Sequence, residues 1–257
     1  MSDKIELNLF RIDGGKGEQV KDLVAVEESL TLFVGGRELV SLLYTPPMAV
    51  ELAVGYLLSE GIIDSKENIK SLSRKKGAIV LELEGDLPEQ PSNAVRTLTS
   101  GCGGGITFTY PKGLKGIRKV ASKLVLSHEA ITSLAAKFRT ASKLFEETGG
   151  VHSAALSDGA KFLAFADDIG RHNAVDKVFG RCLMEGIDTK DKVLLTTGRV
   201  SSEILLKSAK RKVPVIVSRG APTTLAVSLA EKLGVTLVCF VRGRRMNVYT
   251  HIERVSL

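Results

Sequence analysis

Hydrophobic and polar positions predict β-strands through most of the first third of the chain. Two apolar runs, residues 30–34 and 39–44, flank the dipeptide Gly35-Gly36. Short apolar runs on either side of a two-residue glycine turn are typical of a β-hairpin. Residues 79–84 alternate apolar and polar positions, as a half-buried strand does. This part of the chain therefore predicts a strand-rich unit.

One helix and one long loop interrupt these strands. Pro46-Pro47 precedes an apolar stretch that predicts a buried helix over residues 48–60, and Gly61 lies where a helix commonly ends. Residues 86–105 are rich in Pro, Ser, Asn and Gly, which predicts a surface loop. Loops of this length in compact proteins are often functional.

Beyond residue 120, helical and strand patterns alternate. Ser127 is the predicted N-cap of a helix that Gly149-Gly150 ends. The apolar positions of this helix are Ile131, Leu134, Ala135, Phe138 and Phe145. Further strands are predicted at residues 192–196, 213–217 and 235–241, with helices at 202–210 and 222–233.

This alternation predicts a partly parallel sheet covered by helices, which is an α/β layer architecture. We place a domain boundary near residue 120. Residues 1–120 form the predicted strand-rich N-terminal domain, with one buried helix and the loop around Cys102. Residues 121–257 form the predicted α/β domain, which carries most of the candidate binding residues.

Composition fits a folded protein with an anionic partner. Hydrophobic residues make up 44% and charged residues 25% of the 257 positions, and the net charge is +7. Phosphates on a small cofactor, nucleic acid and lipid would all satisfy this charge. Aromatic residues are only 5%, with no Trp, and do not alternate with basic residues, so we expect no nucleic-acid partner.

The N-terminus and the cysteines predict a cytoplasmic protein. Residues 1–4 carry charge and lack the apolar core of a signal peptide. The longest apolar stretch, residues 48–58, is too short to span a bilayer, so no membrane contact is expected. The three scattered cysteines form neither a disulfide framework nor a metal-binding pair, so we predict no intrinsic metal and a reducing compartment.

Cys102 differs from the other two cysteines in its surroundings. Cys182 and Cys239 lie among apolar residues and are predicted to be buried. Cys102 lies in a run of glycines, which leaves its thiol unshielded and lets a reactant approach the backbone. A reactive thiolate and a plain glycine turn are both consistent with this local sequence.

Residues 167–177 form a second candidate segment. They place Arg171, His172 and Asn173 at the start of a predicted helix, after two acids and a glycine. Helix N-termini attract anions, arginine binds phosphates through two donors, and His172 could exchange protons near neutral pH. The alternative is that Asp168 or Asn173 caps the helix and Arg171 pairs with a nearby acid.

Three further turns place glycine beside polar groups at element boundaries. They contain His152, Arg199, and Ser218 with Thr223. The last two turns follow a predicted strand and precede a helix, although neither has a GxxxxGKS or GxGxxG pattern. Turns at the same end of a sheet converge on one crevice, where α/β proteins usually bind ligands.

The segment of residues 240–245 completes the candidate binding set. Its three arginines around a glycine, after a predicted strand, would suit a diphosphate or polyphosphate. The alternative is a solvated basic hairpin. The residues of this segment are Phe240, Val241, Arg242, Gly243, Arg244 and Arg245.

Together these segments resemble the FdhD family, the formate dehydrogenase accessory sulfurtransferases. The resemblance covers nearly the whole chain and is strongest at residues 148–152, 168–177, 197–203, 218–226 and 240–250. It implies a C-terminal domain with a cytidine-deaminase-like α/β fold, a smaller strand-rich domain, and a homodimer that binds the molybdenum bis(molybdopterin guanine dinucleotide) cofactor. It also implies a persulfide taken from a cysteine desulfurase and sulfur passed to molybdenum before the cofactor enters formate dehydrogenase.

The chain departs from the family pattern at one cysteine. The family loop reads Cys-Gly-x-Cys, whereas here Cys102 is followed by glycine at the second cysteine position, Gly105. Cys102 is thus the single predicted sulfur carrier, and a non-catalytic cofactor chaperone is the alternative. The zinc-deaminase signature is absent, since Ala154 stands two residues after His152 where a glutamate is needed. A third hypothesis assigns His172 and Asp168 to chemistry on a bound guanine nucleotide.

Overall fold

The computed structural model describes residues 2–85, 97–98, 106–107 and 117–257. Its six helices are α1 Ala49–Glu60, α2 His128–Arg139, α3 Lys143–Thr148, α4 Arg171–Glu185, α5 Ser202–Lys210 and α6 Thr224–Leu233. Its strands are β1 Lys4–Asp13, β2 Lys16–Ala25, β3 Glu28–Val34, β4 Arg37–Tyr44, β5 Ile69–Lys75, β6 Ala78–Leu83, β7 Thr97–Leu98, β8 Ile106–Thr107, β9 Leu126–Ser127, β10 His152–Ser157, β11 Phe162–Asp168, β12 Val193–Thr196, β13 Val215–Ser218, β14 Thr236–Arg242, β15 Arg245–Thr250 and β16 Val255–Ser256.

The N-terminal part contains a four-stranded sheet in the order β4-β3-β6-β5. The predicted hairpin is confirmed: β3 and β4 pair antiparallel, and Gly35 and Gly36 both adopt the left-handed backbone that their turn requires. The predicted strand at residues 79–84 is β6, which pairs parallel to β3. The predicted helix is α1, and Gly61 ends it in a left-handed conformation.

A six-stranded sheet in the order β11-β10-β12-β13-β14-β15 forms the C-terminal part. Strands β12, β13 and β14 are parallel, and the other neighbours pair antiparallel. The side chains of the strands fall into two apolar clusters. One cluster also contains residues of α2, and the other also contains residues of α1, α4, α5 and α6. The mixed α/β fold predicted from the sequence is therefore confirmed.

The predicted helix that begins after Ser127 is two helices. Ser127 does cap α2, accepting a hydrogen bond from the Ala130 amide at 3.1 Å. The chain then turns, and Ser142 caps α3 by accepting from the Phe145 amide at 2.8 Å. Since the Ser142 hydroxyl also donates to Asp167 Oδ2 at 2.8 Å, a contact distant in sequence fixes this break. Phe145 is 48% exposed and is not part of the buried face.

The predicted loop of residues 86–105 contains one short strand. Strand β7 lies within it and pairs antiparallel with β8, so this part of the loop prediction is wrong. The rest of that loop, with Cys102 and Gly105, lies outside the described residues. Within the described ranges, no helix is long and apolar enough to cross a membrane.

Helices α1 and α4 cross at glycines that let their backbones touch. A Cβ at position 55 would lie 1.8 Å from the Asp176 carbonyl oxygen, and one at position 180 would lie 1.9 Å from the Glu51 carbonyl oxygen. Real Cβ atoms do not approach a backbone so closely, so only glycine fits at Gly55 and Gly180. The contact joins the N-terminal part to the C-terminal sheet, and one buried cluster contains residues of both. The domain boundary near residue 120 stays a prediction.

Gly180→Ala should destabilise the protein. In an ordinary helix interior, replacing glycine by alanine raises the free energy of unfolding by about 1 kcal/mol, because alanine restricts the unfolded chain. Here the clash with the backbone of Glu51 forces the two helices apart, and we expect a net loss of at least about 2 kcal/mol in urea unfolding. Met184→Ala is the control, since Met184 lies on the same helix and is 45% exposed; it should change stability by less than about 0.5 kcal/mol. An unchanged or higher stability of Gly180→Ala would contradict this packing.

Candidate anion-binding site

The loops that follow β12 and β13 lie beside the last part of β14 at one edge of the sheet, called the loop edge below. The Ser218 hydroxyl, at the end of β13, donates to the Gly198 carbonyl of the neighbouring loop at 2.7 Å. The Gly220 amide donates to Ser218 Oγ at 2.9 Å, and the Phe240 amide donates to the Gly220 carbonyl at 3.3 Å. Because parallel strands place their carboxyl ends at the same edge, the turns identified in the sequence converge as predicted.

Two glycines in these loops allow the close approach. A Cβ at position 220 would lie 2.7 Å from the Gly198 carbonyl oxygen, and a Cβ at position 198 would lie 2.9 Å from Arg171 Cβ. Side chains at these positions would separate the loops from each other and from the start of α4. Gly198 and Gly220 thus bring Arg171 to the edge formed by the strand loops.

His152 joins this edge from the start of β10. Its Nδ1 lies 3.2 Å from the Thr197 hydroxyl, which also accepts from the Ser153 amide at 3.0 Å. Burial lowers the pKa of His152, and the Arg171 guanidinium lowers it further. The imidazole is therefore neutral near pH 7 and can donate or accept a hydrogen bond without adding positive charge.

A second histidine lies beside a carboxylate at the start of α5. His172 Nε2 lies 3.3 Å from Glu203 Oε2, and both side chains are about one-fifth exposed. Burial lowers the pKa of His172 to about 3, with further lowering by Lys207, Arg171 and His152. His172 is therefore neutral at physiological pH.

The start of α4 is fixed by Asp168, which is fully buried. Its Oδ1 accepts from the Gly170 amide at 2.8 Å and from Asn173 Nδ2 at 2.9 Å. Asn173 Nδ2 also donates to the Leu43 carbonyl at 2.8 Å. Asp168 and Asn173 thus hold the start of the helix in place, although neither caps it, because the N-cap residue is Gly170 and no side chain bonds there. The hypothesis that Asp168 acts on a nucleotide is not supported, since no ligand can reach a carboxylate so enclosed.

Lys177 completes this buried cluster one turn further along α4. Its Nζ lies 2.7 Å from Asp168 Oδ2 and donates to the Thr45 carbonyl at 2.6 Å and the Asp167 carbonyl at 2.9 Å. The Thr45 amide in turn donates to Asp168 Oδ2 at 3.1 Å. The segment at Thr45, the end of β11 and helix α4 are therefore held together next to Arg171 and His172.

The segment of residues 240–245 divides into a buried and an exposed part. Phe240 is half-buried with a left-handed backbone (φ 55°), and Val241 is 2% exposed within the core. The Val241 side chain therefore faces the core, and only its backbone remains for the predicted binding role. Residues 242–245 form the exposed turn between β14 and β15, where the Arg244 carbonyl accepts from His128 Nε2 at 2.8 Å. This is the basic hairpin of the alternative interpretation, located at the carboxyl end of β14.

The remaining predicted residues have different environments. Ser218 is 1% exposed, and its hydroxyl makes one bond to the neighbouring loop and one within its own turn. The Thr223 hydroxyl caps α6 by accepting from the Ala226 amide at 3.2 Å. Arg199 is exposed in the loop after β12. Arg199 can meet a ligand with its side chain, whereas Ser218 and Thr223 shape the loops.

Glu203 was absent from the sequence-predicted binding set. It occupies the first turn of α5 and reaches His172, which precedes it by 31 positions. In the sequence, residues 196–203 predict a turn, and that pattern gives Glu203 no separate role. The contact between α4 and α5 brings the two side chains together, and no local pattern encodes that contact.

The two described cysteines are inert. Cys182 and Cys239 are 1% and 0% exposed, as predicted. Burial raises the pKa of each thiol to about 12, so neither forms an appreciable thiolate near neutral pH. The third cysteine, Cys102, lies outside the described residues.

His172→Gln should weaken the pH dependence of stability. The pKa of His172 is about 3 in the folded protein, against an ordinary value of 6.5. Between these values the unfolded chain binds more protons, so wild-type stability falls below pH ~6.5, by at most about 1.4 kcal/mol per pH unit. Urea unfolding near pH 7 and near pH 5 should show a smaller loss for the variant. Equal losses would contradict a buried, neutral His172.

Comparisons with known proteins agree with this fold and identify a family. The FdhD/NarQ family model matches residues 25–256. A sulfur carrier protein FdhD from Bacillus subtilis is 38% identical, with 99% of each chain covered. Another from Staphylococcus haemolyticus is 41% identical, with 97% of this chain and 96% of the relative covered. The crystal structure described as a formate dehydrogenase accessory protein from Desulfotalea psychrophila is 27% identical, with a TM-score of 0.83 over 99% of this chain and 100% of that one. This chain belongs to the FdhD/NarQ family.

Proposed function

We propose that this protein is a sulfur carrier for formate dehydrogenase. It takes sulfur from a cysteine desulfurase and delivers it to the molybdenum of a bis(molybdopterin guanine dinucleotide) cofactor. The observation that carries the proposal is the convergence of the loops after β12 and β13 with the end of β14 at one basic edge of the sheet. The relatives named sulfur carrier protein FdhD support the role, and the name of the structural neighbour supports the client.

The residues of this edge fit a ligand that carries phosphates. Arg171 begins α4 beside the loop that contains Arg199, and residues 242–245 supply three exposed arginines at the end of β14. Arginine forks match phosphate oxygens through two parallel hydrogen bonds. The start of α4, which has no side-chain cap, adds the partial positive charge of a helix N-terminus.

The two histidines suit the uncharged part of such a ligand. His152 and His172 are both neutral, so they offer hydrogen bonds to a base or a pterin without adding charge. The cofactor itself, when bound, supplies the molybdenum that receives sulfur. The chain binds the phosphates, orients the cofactor and carries the sulfur.

Cys102 is the proposed carrier of sulfur. Its thiolate attacks the outer sulfur of the donor's persulfide, forming a new S–S bond at Cys102. The donor's own S–S bond breaks at the same time, and the donor cysteine leaves as a thiolate. Because Gly105 replaces the family's second cysteine, the protein carries sulfur on one thiol without a relay between two.

The persulfide should form at Cys102 and at no other cysteine. We expect peptide mass spectrometry after incubation with a cysteine desulfurase and free cysteine to find one added sulfur atom on Cys102. Cys102→Ala should abolish the adduct, whereas Cys182→Ala should keep it, since the Cys182 thiol is buried. Failure to modify the wild type, while a family member with both loop cysteines is modified, would refute the carrier role.

A cofactor chaperone without sulfur chemistry is the second candidate, and Gly105 favours it. In that case the arginine-rich edge binds the cofactor and Cys102 is dispensable. Normal formate dehydrogenase activity in cells that carry Cys102→Ala would support the chaperone. Under either proposal the protein works in the cytoplasm, as a homodimer, and contacts formate dehydrogenase.

Arg242→Ala should weaken the binding of GDP, which represents one end of the cofactor. Loss of a charged hydrogen bond to phosphate costs about 1.5 to 3 kcal/mol, so calorimetry should show at least about tenfold weaker binding. Arg181→Ala is the matched control, because Arg181 lies on α4 and pairs with Glu185 on the same helix. Equal affinities of Arg242→Ala and wild type would exclude the hairpin from the binding edge.

A further inference from the structure

A cavity of about 180 Å³ lies at the opposite end of α5 from the loop edge. Helix α5 has nine residues, so its two ends are about 14 Å apart. Glu203, in the first turn of the helix, contacts His172, whereas the last residue of the helix, Lys210, lines the cavity. The cavity is thus separate from the proposed cofactor site.

The cavity combines an apolar floor with a basic rim. Its apolar lining consists of Leu58, Phe179, Cys182, Leu183 and Ile187. Three consecutive bases, Lys210, Arg211 and Lys212, line the other side. One acid, Asp188, also lines it, and its Oδ1 accepts from the Lys190 amide at 2.9 Å. An excess of positive charge beside hydrophobic side chains favours an anion with an apolar body.

Arg211 has donors that the protein satisfies poorly. Its Nη1 donates to the Asp64 carbonyl at 3.4 Å and its Nη2 to the Lys210 carbonyl at 3.5 Å, both at the long limit of a hydrogen bond. Its Nε is buried and finds no acceptor among the described residues. Burial lowers the pKa of Arg211, while Asp64 opposes this shift. The guanidinium therefore retains capacity for an oxyanion.

The backbone holds Arg211 firmly in this position. The Arg211 carbonyl accepts from the Thr189 hydroxyl at 2.5 Å. The next residue, Lys212, has a left-handed backbone (φ 58°) that is unfavourable for a residue with a side chain. Two bonds sustain it: the Lys212 amide donates to the Ala209 carbonyl and the Val213 amide to the Ser208 carbonyl, both at 3.0 Å. The rim is thus rigid before any ligand binds.

We propose that this cavity binds a small organic anion whose carboxylate or phosphate group pairs with Arg211 and whose ring-sized apolar body packs on Leu183 and Ile187. The two Nη groups, whose bonds to carbonyl oxygens are long, match two oxygens of a carboxylate or phosphate. A cavity of about 150 Å³ holds a benzene ring, so the observed volume suffices for an aromatic or short aliphatic acid.

Benzoate, phenyl phosphate and inorganic phosphate distinguish the possible ligands. In methyl NMR spectra of the full-length protein, benzoate or phenyl phosphate at millimolar concentration should shift the methyl signals of Leu58, Leu183 and Ile187. The tighter of the two identifies the preferred head group. Absence of shifts with both would overturn the proposal. Equal shifts with inorganic phosphate alone would also overturn it, since the apolar body would then contribute nothing.

Variants separate a binding role of Arg211 from a folding role. Arg211→Ala should weaken binding of the preferred probe by at least tenfold, whereas Arg181→Ala should leave it unchanged. Urea unfolding of Arg211→Ala should be as cooperative as that of the wild type, and its methyl signals far from the cavity should be unchanged, which shows that the variant is folded. Undiminished probe binding by folded Arg211→Ala would refute the proposal. Neither result depends on the outcome for Arg242 or Cys102.

Discussion

The buried ion pair between Asp168 and Lys177 is the interaction on which the candidate site depends. Asp168 ends β11 and Lys177 lies on α4, and together they bind the backbone of Thr45 from the N-terminal part. Removing one member of such a pair leaves an unpaired buried charge and costs about 3 to 5 kcal/mol. The same pair fixes the first turn of α4, so it determines where Arg171 and His172 enter the loop edge.

A second buried pair extends this arrangement through the molecule. Asp176 on α4 binds Lys207 on α5 and accepts from the Ser59 hydroxyl at the end of α1. Lys210, one turn further along α5, donates to the Ser59 carbonyl at 2.6 Å. The glycine contact between α1 and α4 allows these groups to meet, because a wider helix separation would break the hydrogen bonds. The loop edge and the cavity therefore lie at the two ends of one helix, α5, which these contacts hold in place.

The proposed function gives different roles to the rigid core and to Cys102. The loops after β12 and β13 are joined by backbone and hydroxyl hydrogen bonds, which fixes the loop backbone before a ligand arrives. Buried thiols at Cys182 and Cys239 cannot compete for sulfur. The proposed function therefore assigns sulfur to Cys102 alone and assigns anion binding to the loops at the sheet edge.

Local patterns in the sequence determined the elements whose signals are complete within a few residues. The hairpin around Gly35-Gly36, helix α1 and the alternation from β12 to β14 follow from apolar periodicity and turn glycines. The sequence also singled out Cys102 and the arginine segment by residue type. Tertiary structure alone decided the break between α2 and α3, the contact between His172 and Glu203, and the structural role of Asp168 and Asn173. Each depends on contacts between residues far apart in the chain, whose burial and hydrogen bonds override the local preference.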